Sequence, residues 1–512
     1  MLEWICQWGP PLLGGLDLLL GIGAAFLLFR RWGNTLAEAG IYAVVVTLMV
    51  LSLILEVATI PESIWLVRGI EVVFGMAAAG TLIRGRQKLL RTLGNLPKAI
   101  HLPRPALIVL LLLWGYLFFL AVGSSPSPSP CLDEILPVGA TIGVECCSLP
   151  TQHRLLLGLF LNNGHLYGAG LLGLTAYAAL CLGTYTLARR YAWPPTALTV
   201  ALIPAAMPRL VYLARGAGCE IVPSAVLLFC LVALYRTVEY PNPRDFALLL
   251  TGIAFSIGMN ALSVAMAAIL LALSALLLYR RHGAVTWQTM VLQNPLAVAA
   301  AALTLLIYSN LWRKVLTLPP GPFNMGRMPS HTPPLNNDGL VGGAANLVRY
   351  LVQSLHFTQP VDHLLHWMFG IRLQERLNWI YLHFGEPLWG QKGAATAFAV
   401  DWSPTGPSAG FGPFAALVIL PAVFYIVLRG PRRLKAVAVA LVGYLYMVTL
   451  IPAWQPGNLR LLTPFFTGGA FMSAFVLPPW YITTRRRALL QVLNLALLAY
   501  ALISQPRGFV LG

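Results

Sequence analysis

Charge is what this chain has least of. Asp, Glu, Lys and Arg together make up 10% of its 512 residues, against 58% hydrophobic residues and a mean hydropathy of +0.74. Soluble globular domains carry about 25% charged residues, so this scarcity excludes a water-exposed surface over most of the chain. Acidic residues are scarcer still, with 17 Asp and Glu against 34 Lys and Arg, which gives a formal charge of +17. The basic residues fall in short clusters between apolar runs and form neither a contiguous basic domain nor a nucleic-acid motif, so they read as topology signals and lipid-headgroup contacts. No nucleic-acid partner is expected. The N-terminus, MLEWICQWGPP, lacks a basic leader and a small-residue cleavage site, so no removable signal peptide is expected. Short solenoid repeats and inverted repeats are also missing from the pattern.

Long apolar runs are what the chain does have. They predict an all-α, polytopic membrane helix bundle of about fourteen transmembrane helices, centred roughly on residues 21, 47, 72, 114, 175, 203, 227, 251, 270, 303, 420, 442, 469 and 495. The stretch Phe246 to Leu278 is broken near Gly258 to Asn260 and reads as one tilted helix or two shorter ones. Basic clusters at Arg30-Arg31, Arg84 to Arg104, Arg189-Arg190, Arg236 and Arg244, Arg280-Arg281, Arg429 to Lys435 and Arg485 to Arg487 fall on alternate sides of these spans. The positive-inside rule puts those clusters in the cytoplasm, both termini outside, and the protein in a bacterial inner (cell) membrane with its large loops extracytoplasmic.

Two outward loops interrupt the short connections. Ser124 to His153 opens with SSPSPSP and holds the acidic pair Asp133-Glu134, together with Cys131, Cys146 and Cys147. A carboxylate pair just outside a bilayer is where an enzyme acting on a lipid-linked substrate would keep its base. A disulfide from Cys131 to Cys146 or Cys147 is feasible in an oxidising space, whereas Cys181 and Cys230 lie in apolar runs as core residues. The second loop, about 313–410, is too long for a simple connector and should hold short helices such as Asn346 to Leu355 and Leu373 to Phe384 on or near the membrane surface. Its Asp362-His363-Leu364-Leu365-His366 run resembles half a metal site but has no third ligand, and Trp367, Trp379, Trp389 and Trp402 read as an interfacial aromatic belt.

A span followed by an outward acidic pair, many helices, a late large loop, then GFGPFAALVILPAVFYIVL and NLRLLTPFF resembles the bacterial membrane glycosyltransferases of the C-type fold. That family includes the protein O-mannosyltransferases and aminoarabinose transferases. The more specific match is Phe411-Gly412-Pro413 with Arg460 to Pro464, and the resemblance runs from about Pro105 to the C-terminus. It implies hexosyl or pentosyl transfer from a polyprenyl-phosphate sugar to an extracytoplasmic protein or glycan acceptor. Such transfer needs a base, positive charge on the leaving phosphate and lipid access. Asp133 is then the candidate base, and Glu134 its partner in acceptor orientation or in holding a divalent metal, the one cofactor under consideration. Arg460, Arg215 and Arg313 are the candidate phosphate contacts, because guanidinium forks match phosphate oxygens. Glu220 is a substrate-binding candidate by its place in the second outward loop; its other reading is helix-dipole complementarity.

The chain departs from the family where DEILPVGAT replaces a Tyr-His-Leu group and Asn260 stands near the place of a Lys. A catalytically silent scaffold subunit and a lipid or solute transporter therefore stand as alternatives to the transferase. Residues 1–104 lie outside the resemblance and read as an accessory three-helix module with a basic cytoplasmic linker, offering a surface for a membrane-protein partner. Asp17, Glu56, Arg68 and Glu71 fall within or beside its spans, where ionisable groups cost about 2.5 to 3.5 kcal/mol each unless paired, so Arg68 should pair with Glu71 or Glu56.

Overall fold

A computed structural model describes residues 2–58, 64–94, 104–123, 156, 159–162, 165, 166, 168, 170–215, 220–259, 261–292, 294–308, 335–355, 359–390, 392–400, 402, 410–477 and 484–503. Helix is the rule among them, and each of the fourteen expected centres falls inside one. In chain order these are α1 (Leu2–Arg31), α2 (Leu36–Ala58), α3 (Ile64–Gly94), α4 (Arg104–Gly123), α5 (Gly170–Ala188), α6 (Pro194–Ala205), α7 (Pro208–Arg215), α8 (Ile221–Glu239), α9 (Pro243–Ile257), α10 (Ala261–Leu292) and α11 (Pro295–Tyr308). There follow α12 (Gly339–Ser354), α13 (Gln359–Phe369), α14 (Leu373–Ile380), α15 (Glu386–Trp389), α16 (Leu420–Arg429), α17 (Arg432–Leu450), α18 (Thr463–Ala470) and α19 (Thr484–Ile503). A two-residue antiparallel pair, Leu161–Asn162 with His165–Leu166, is the strand pairing among the described residues.

Among the described residues six helices are long and apolar enough to cross a membrane: Leu12–Arg31, Leu36–Glu56, Gly170–Ala188, Ile221–Glu239, Ser263–Gly283 and Arg432–Leu450. The protein is a multi-pass membrane protein. The span centred near residue 203 is a bent pair, because Pro204 and Pro208 remove backbone donors and α6 and α7 meet at 72°. The long stretch from Phe246 resolves into two helices, α9, which ends before Gly258, and α10, which starts at Ala261.

Contacts divide the chain into two compact units: residues Met1–His101, Tyr116–Leu187 and Ala214–Ser330, and residues Leu102–Gly115, Ala188–Leu213 and His331–Gly512. In the first unit α1, α2 and α3 pack on one another, α2 also meets α8, and α9 lies against α8, α10 and α11. Small residues set the closest approaches. A Cβ on Gly183 of α5 would stand 2.6 Å from Ile41 Cδ1 and 2.9 Å from Leu228 Cβ. Such close approach replaces the hydrophobic drive that lipid cannot supply.

The basic clusters of this unit meet at one end, as the alternation of spans requires. Arg236 pairs with Glu38 at 2.9 Å and Asp245 at 3.1 Å, while Arg244 lies over the Trp32 ring at 5.0 Å and reaches the Trp32 carbonyl. His282 Nε2 lies 3.0 Å from the Val238 carbonyl, which brings the Arg280-Arg281 end of α10 to the same place. Arg236 and Arg244 are thus ion-pair partners, both of Asp245. In α3, Arg68 pairs with Glu71 at 2.7 Å, one of the two partners its depth demanded.

The second unit packs α6 on α18 and α19, and α17 on α12, α16 and α18. The expected short helices of the large loop are present as α12 to α15. Trp367 and Trp379 on α13 and α14 are exposed, in keeping with an interfacial belt. Trp402 is 1% exposed and belongs to the core, not to the interfacial belt expected of it.

Candidate functional site

The second unit holds the segment that carries the family-like residues, and its shape begins with proline. Pro452 and Pro456 end helical pairing after α17, so Ala453 to Gln455 runs extended and bridges two strips of the loop: Leu335 opposite Pro452, and Ala394 beside Trp454. The Trp454 amide donates to the Gly393 carbonyl at 2.7 Å, and the Ala395 amide donates to the Trp454 carbonyl at 3.0 Å. A 3-10 turn, Pro456–Leu462, then carries Arg460 to an exposed position. Hydrogen bonds brace the turn and its flanks: Asn458 Nδ2 donates to the Ala453 carbonyl, Tyr444 Oη to the Leu461 carbonyl, Thr463 Oγ1 to the Arg460 carbonyl and Thr467 Oγ1 to the Thr463 carbonyl.

The two family-like segments pack into each other. The Phe411 ring lies 4.6 Å from the Phe466 ring, both buried. Gly412 has φ +85°, and a Cβ there would stand 3.0 Å from Pro208 Cδ and 3.3 Å from Tyr500 Oη, so glycine is required by backbone and space alike. The Arg209 amide donates to the Gly410 carbonyl at 3.1 Å and fixes the entry to this turn.

A buried cation lies behind the segment, and sequence reading passed over it. Arg349 on α12 is 0% exposed, with Nε donating to Tyr381 Oη at 2.9 Å, Nη1 to Asn346 Oδ1 at 2.9 Å and to the Lys392 carbonyl at 2.8 Å, and Nη2 to the Gly390 carbonyl at 2.7 Å. The signal was present in α12, which turns its polar side inward: Asn346, Arg349, Tyr350 and Gln353 recur at helical spacing and are buried, while Leu340 and Val341 are exposed. Asn346 also donates to the Thr449 and Pro452 carbonyls, and Asp338 accepts the Gly393 amide. Tyr350, Phe398 and Trp454 form an aromatic wall, with ring separations of 5.0 Å and 5.1 Å to Trp454, and burial pushes the Tyr350 phenol well above its usual range.

The residues expected from sequence fall as follows. Arg460 is exposed on the 3-10 turn of the second unit. Arg215 closes α7, and Glu220 is the buried N-cap residue of α8, both in the first unit. The Glu220 side chain makes no capping hydrogen bond; its carbonyl accepts Ser224 Oγ at 2.9 Å. Asp133, Glu134 and Arg313, and the cysteine pairing of Cys131, Cys146 and Cys147, lie outside the described residues. Among the described residues no group of three or more His, Cys, Asp or Glu side chains converges as a metal site. In the loop run, Asp362 Oδ1 accepts the Leu373 amide at 2.7 Å and so starts α14, which gives that carboxylate a helix-capping use. His383 stacks on Trp379 at 4.2 Å and lies 2.9 Å from its carbonyl.

No family model matches the chain, and no curated protein sequence matches it. Two solved structures do. It is similar to ArnT from Cupriavidus metallidurans in the apo state, at 13% identity and a TM-score of 0.44, over 77% of this chain and 62% of that one. It is similar to the same protein bound to undecaprenyl phosphate, at 10% identity and a TM-score of 0.41, over 77% of this chain and 63% of that one. The chain thus spans about three fifths of the length of those proteins.

Proposed function

We infer that this protein is an integral-membrane glycosyltransferase of the C-type kind, moving a sugar from a polyprenyl-phosphate donor to an acceptor outside the cytoplasm. What supports the reading is that the two segments carrying the family resemblance, Phe411-Gly412-Pro413 and Arg460 to Pro464, form one packed unit through Phe411 and Phe466 and leave Arg460 exposed on a braced turn. In this reading Asp133 takes the acceptor's proton, Glu134 orients the acceptor, and Arg460, with Arg215 and Arg313, carries the charge of the leaving phosphate. Glu220 is a substrate contact. A divalent metal, if the transfer uses one, would sit at Asp133 and Glu134, and chelation before assay tests that addition. Residues 1–104 act as an added module at the side of the transferase, in the inner membrane of a bacterium with the large loops outside.

The test is transfer by the purified protein in lipid nanodiscs, with radiolabelled polyprenyl-phosphate sugars and a panel of glycan and peptide acceptors. The parent transfers label. Asp133→Asn loses about 100-fold to 10,000-fold of turnover while retaining donor binding, because Asn keeps the shape but cannot accept the proton. Arg460→Ala weakens donor binding as well as rate, since a guanidinium binds phosphate in ground and transition states alike. Asp133→Asn as active as the parent would overturn the base assignment, and a parent that binds no polyprenyl phosphate would overturn the whole reading.

A further inference from the structure

The feature that the proposed transferase leaves unused is a set of acids inside the first three helices. Asp17 lies on α1, 14 residues before its basic end at Arg31, which at helical rise is about 21 Å along the span. Its side chain is 0% exposed and neither carboxyl oxygen has a hydrogen-bond partner. Leu12, Leu16 and Leu19 on the other side of the same helix are exposed, so the acid is turned into the helix packing rather than toward the lipid.

Opposite it, α3 makes room with Gly75. A Cβ there would stand 2.4 Å from Asp17 Oδ1, closer than any side chain can come. Glu71 lies one helical turn before Gly75 and therefore on the same face. It is 1% exposed; its Oε2 takes Arg68 Nη1 at 2.7 Å, while its Oε1 has no partner. The outward residues Val72, Val73 and Met76 confirm which side of α3 faces the packing. From α2 comes a third buried acid, Glu56, 1% exposed. The strand Leu161–Asn162 also meets α1.

Arg68 pairs with Glu71 and also acts on Asp17 from a distance. An ionised Asp17, buried beside a second carboxylate and with no hydrogen-bond donor on either oxygen, would still be poorly held, whereas a carboxylic acid carries no charge. We propose that Asp17, with Glu71 and Arg68 around it, is a proton-binding site inside the membrane: a buried carboxyl that takes up one proton and releases it when the charge around it changes. The ligand is the proton itself, and the site belongs to the N-terminal module independently of what the remaining helices catalyse.

Dicyclohexylcarbodiimide, an apolar carbodiimide, tests this on the full-length protein in nanodiscs. It reacts with a protonated carboxyl in an apolar place. The acid's O–H proton passes to a carbodiimide nitrogen, a bond forms from the carboxyl oxygen to the central carbon, and the adduct rearranges to a stable N-acylurea. Near neutral pH one adduct is expected on the peptide bearing Asp17, absent in Asp17→Asn, and falling about tenfold per pH unit above the pH at which the acid ionises. Glu71→Gln removes a neighbouring negative charge, so labelling should be lost at a lower pH than in the parent. Asp17→Asn replaces one neutral group by another and should melt with the parent. An unlabelled Asp17, a label that survives Asp17→Asn, or an Asp17→Asn variant that fails to fold would overturn the proposal, the last by showing an ionised carboxylate held by a cation. Protection of Asp17 by sodium ions would also overturn it, by assigning the site to a metal cation.

Discussion

Replacing Arg349 by Met keeps most of the side-chain volume and removes every donor, so it isolates what the guanidinium does. Four acceptors lose their partner: Tyr381 Oη, Asn346 Oδ1 and the carbonyls of Gly390 and Lys392. Lys392 is exposed and Gly390 half-buried, so water can serve those two carbonyls. Tyr381 and Asn346 are buried, and each buried polar group left unsatisfied costs about 1–3 kcal/mol. Taking the middle of that range for two groups and a small credit for the apolar replacement gives about 3 kcal/mol of local stability, which at 1.4 kcal/mol per tenfold is about 100-fold in the opening equilibrium. The loss should be local, because Arg349 holds the strip from Tyr381 to Lys392 against α12. Hydrogen exchange measures it: the amides of Gly393, Ala395 and Trp454, which donate to Asp338, Trp454 and Gly393, should exchange about 100-fold faster in Arg349→Met, with amides in α8 unchanged. Arg349→Lys keeps the charge but cannot span the fork, and should recover part of the protection. Exchange at those three amides within about threefold of the parent would show that the acceptors re-pair without the guanidinium and refute the reasoning.

Three further outcomes follow from the same geometry. Gly183→Leu should abolish folding or lower the melting temperature sharply, since the added atoms overlap Ile41 and the Leu228 Cβ, whereas Gly115→Leu, with open space around it, should be neutral; detergent-solubilised melting curves compare them. Gly412→Ala should cost about 1–2 kcal/mol through its left-handed backbone and the approach of Pro208, read as a lower melting temperature with retained fold. Arg236→Met should destabilise more than Glu38→Gln, because it removes the cation that Glu38 and Asp245 share and leaves Asp245 with Arg244; equal melting temperatures would count against that network. For topology, an impermeant thiol reagent on intact cells should label Ser127→Cys and Ser330→Cys but not Gly94→Cys, in a background free of native cysteines; the reverse pattern would invert the orientation.

Composition and periodicity by themselves determined that the chain is a multi-pass helical membrane protein, where its helices are centred, and where α9 parts from α10. These follow from local physics: an apolar run of span length must satisfy its own backbone in lipid, and glycine or asparagine in a run weakens the helix where it stands. The short helices of the large loop were legible for the same reason, as was the pairing of Arg68 with one of two nearby acids. Tertiary structure decided the rest. Trp402 and Trp367 both read as belt residues in sequence, and one is core while the other is exposed, a difference that burial in the fold decides. Arg349 drew no reading from sequence and became a buried cation only because α12 turns its polar face inward, and Phe411 and Phe466, 55 residues apart, meet in a ring contact that no local pattern encodes. Asp17 was an anomaly in sequence; the approach of Gly75 and Glu71 from another helix is what makes it chemistry, because the charge state of a buried acid depends on neighbours that only packing supplies.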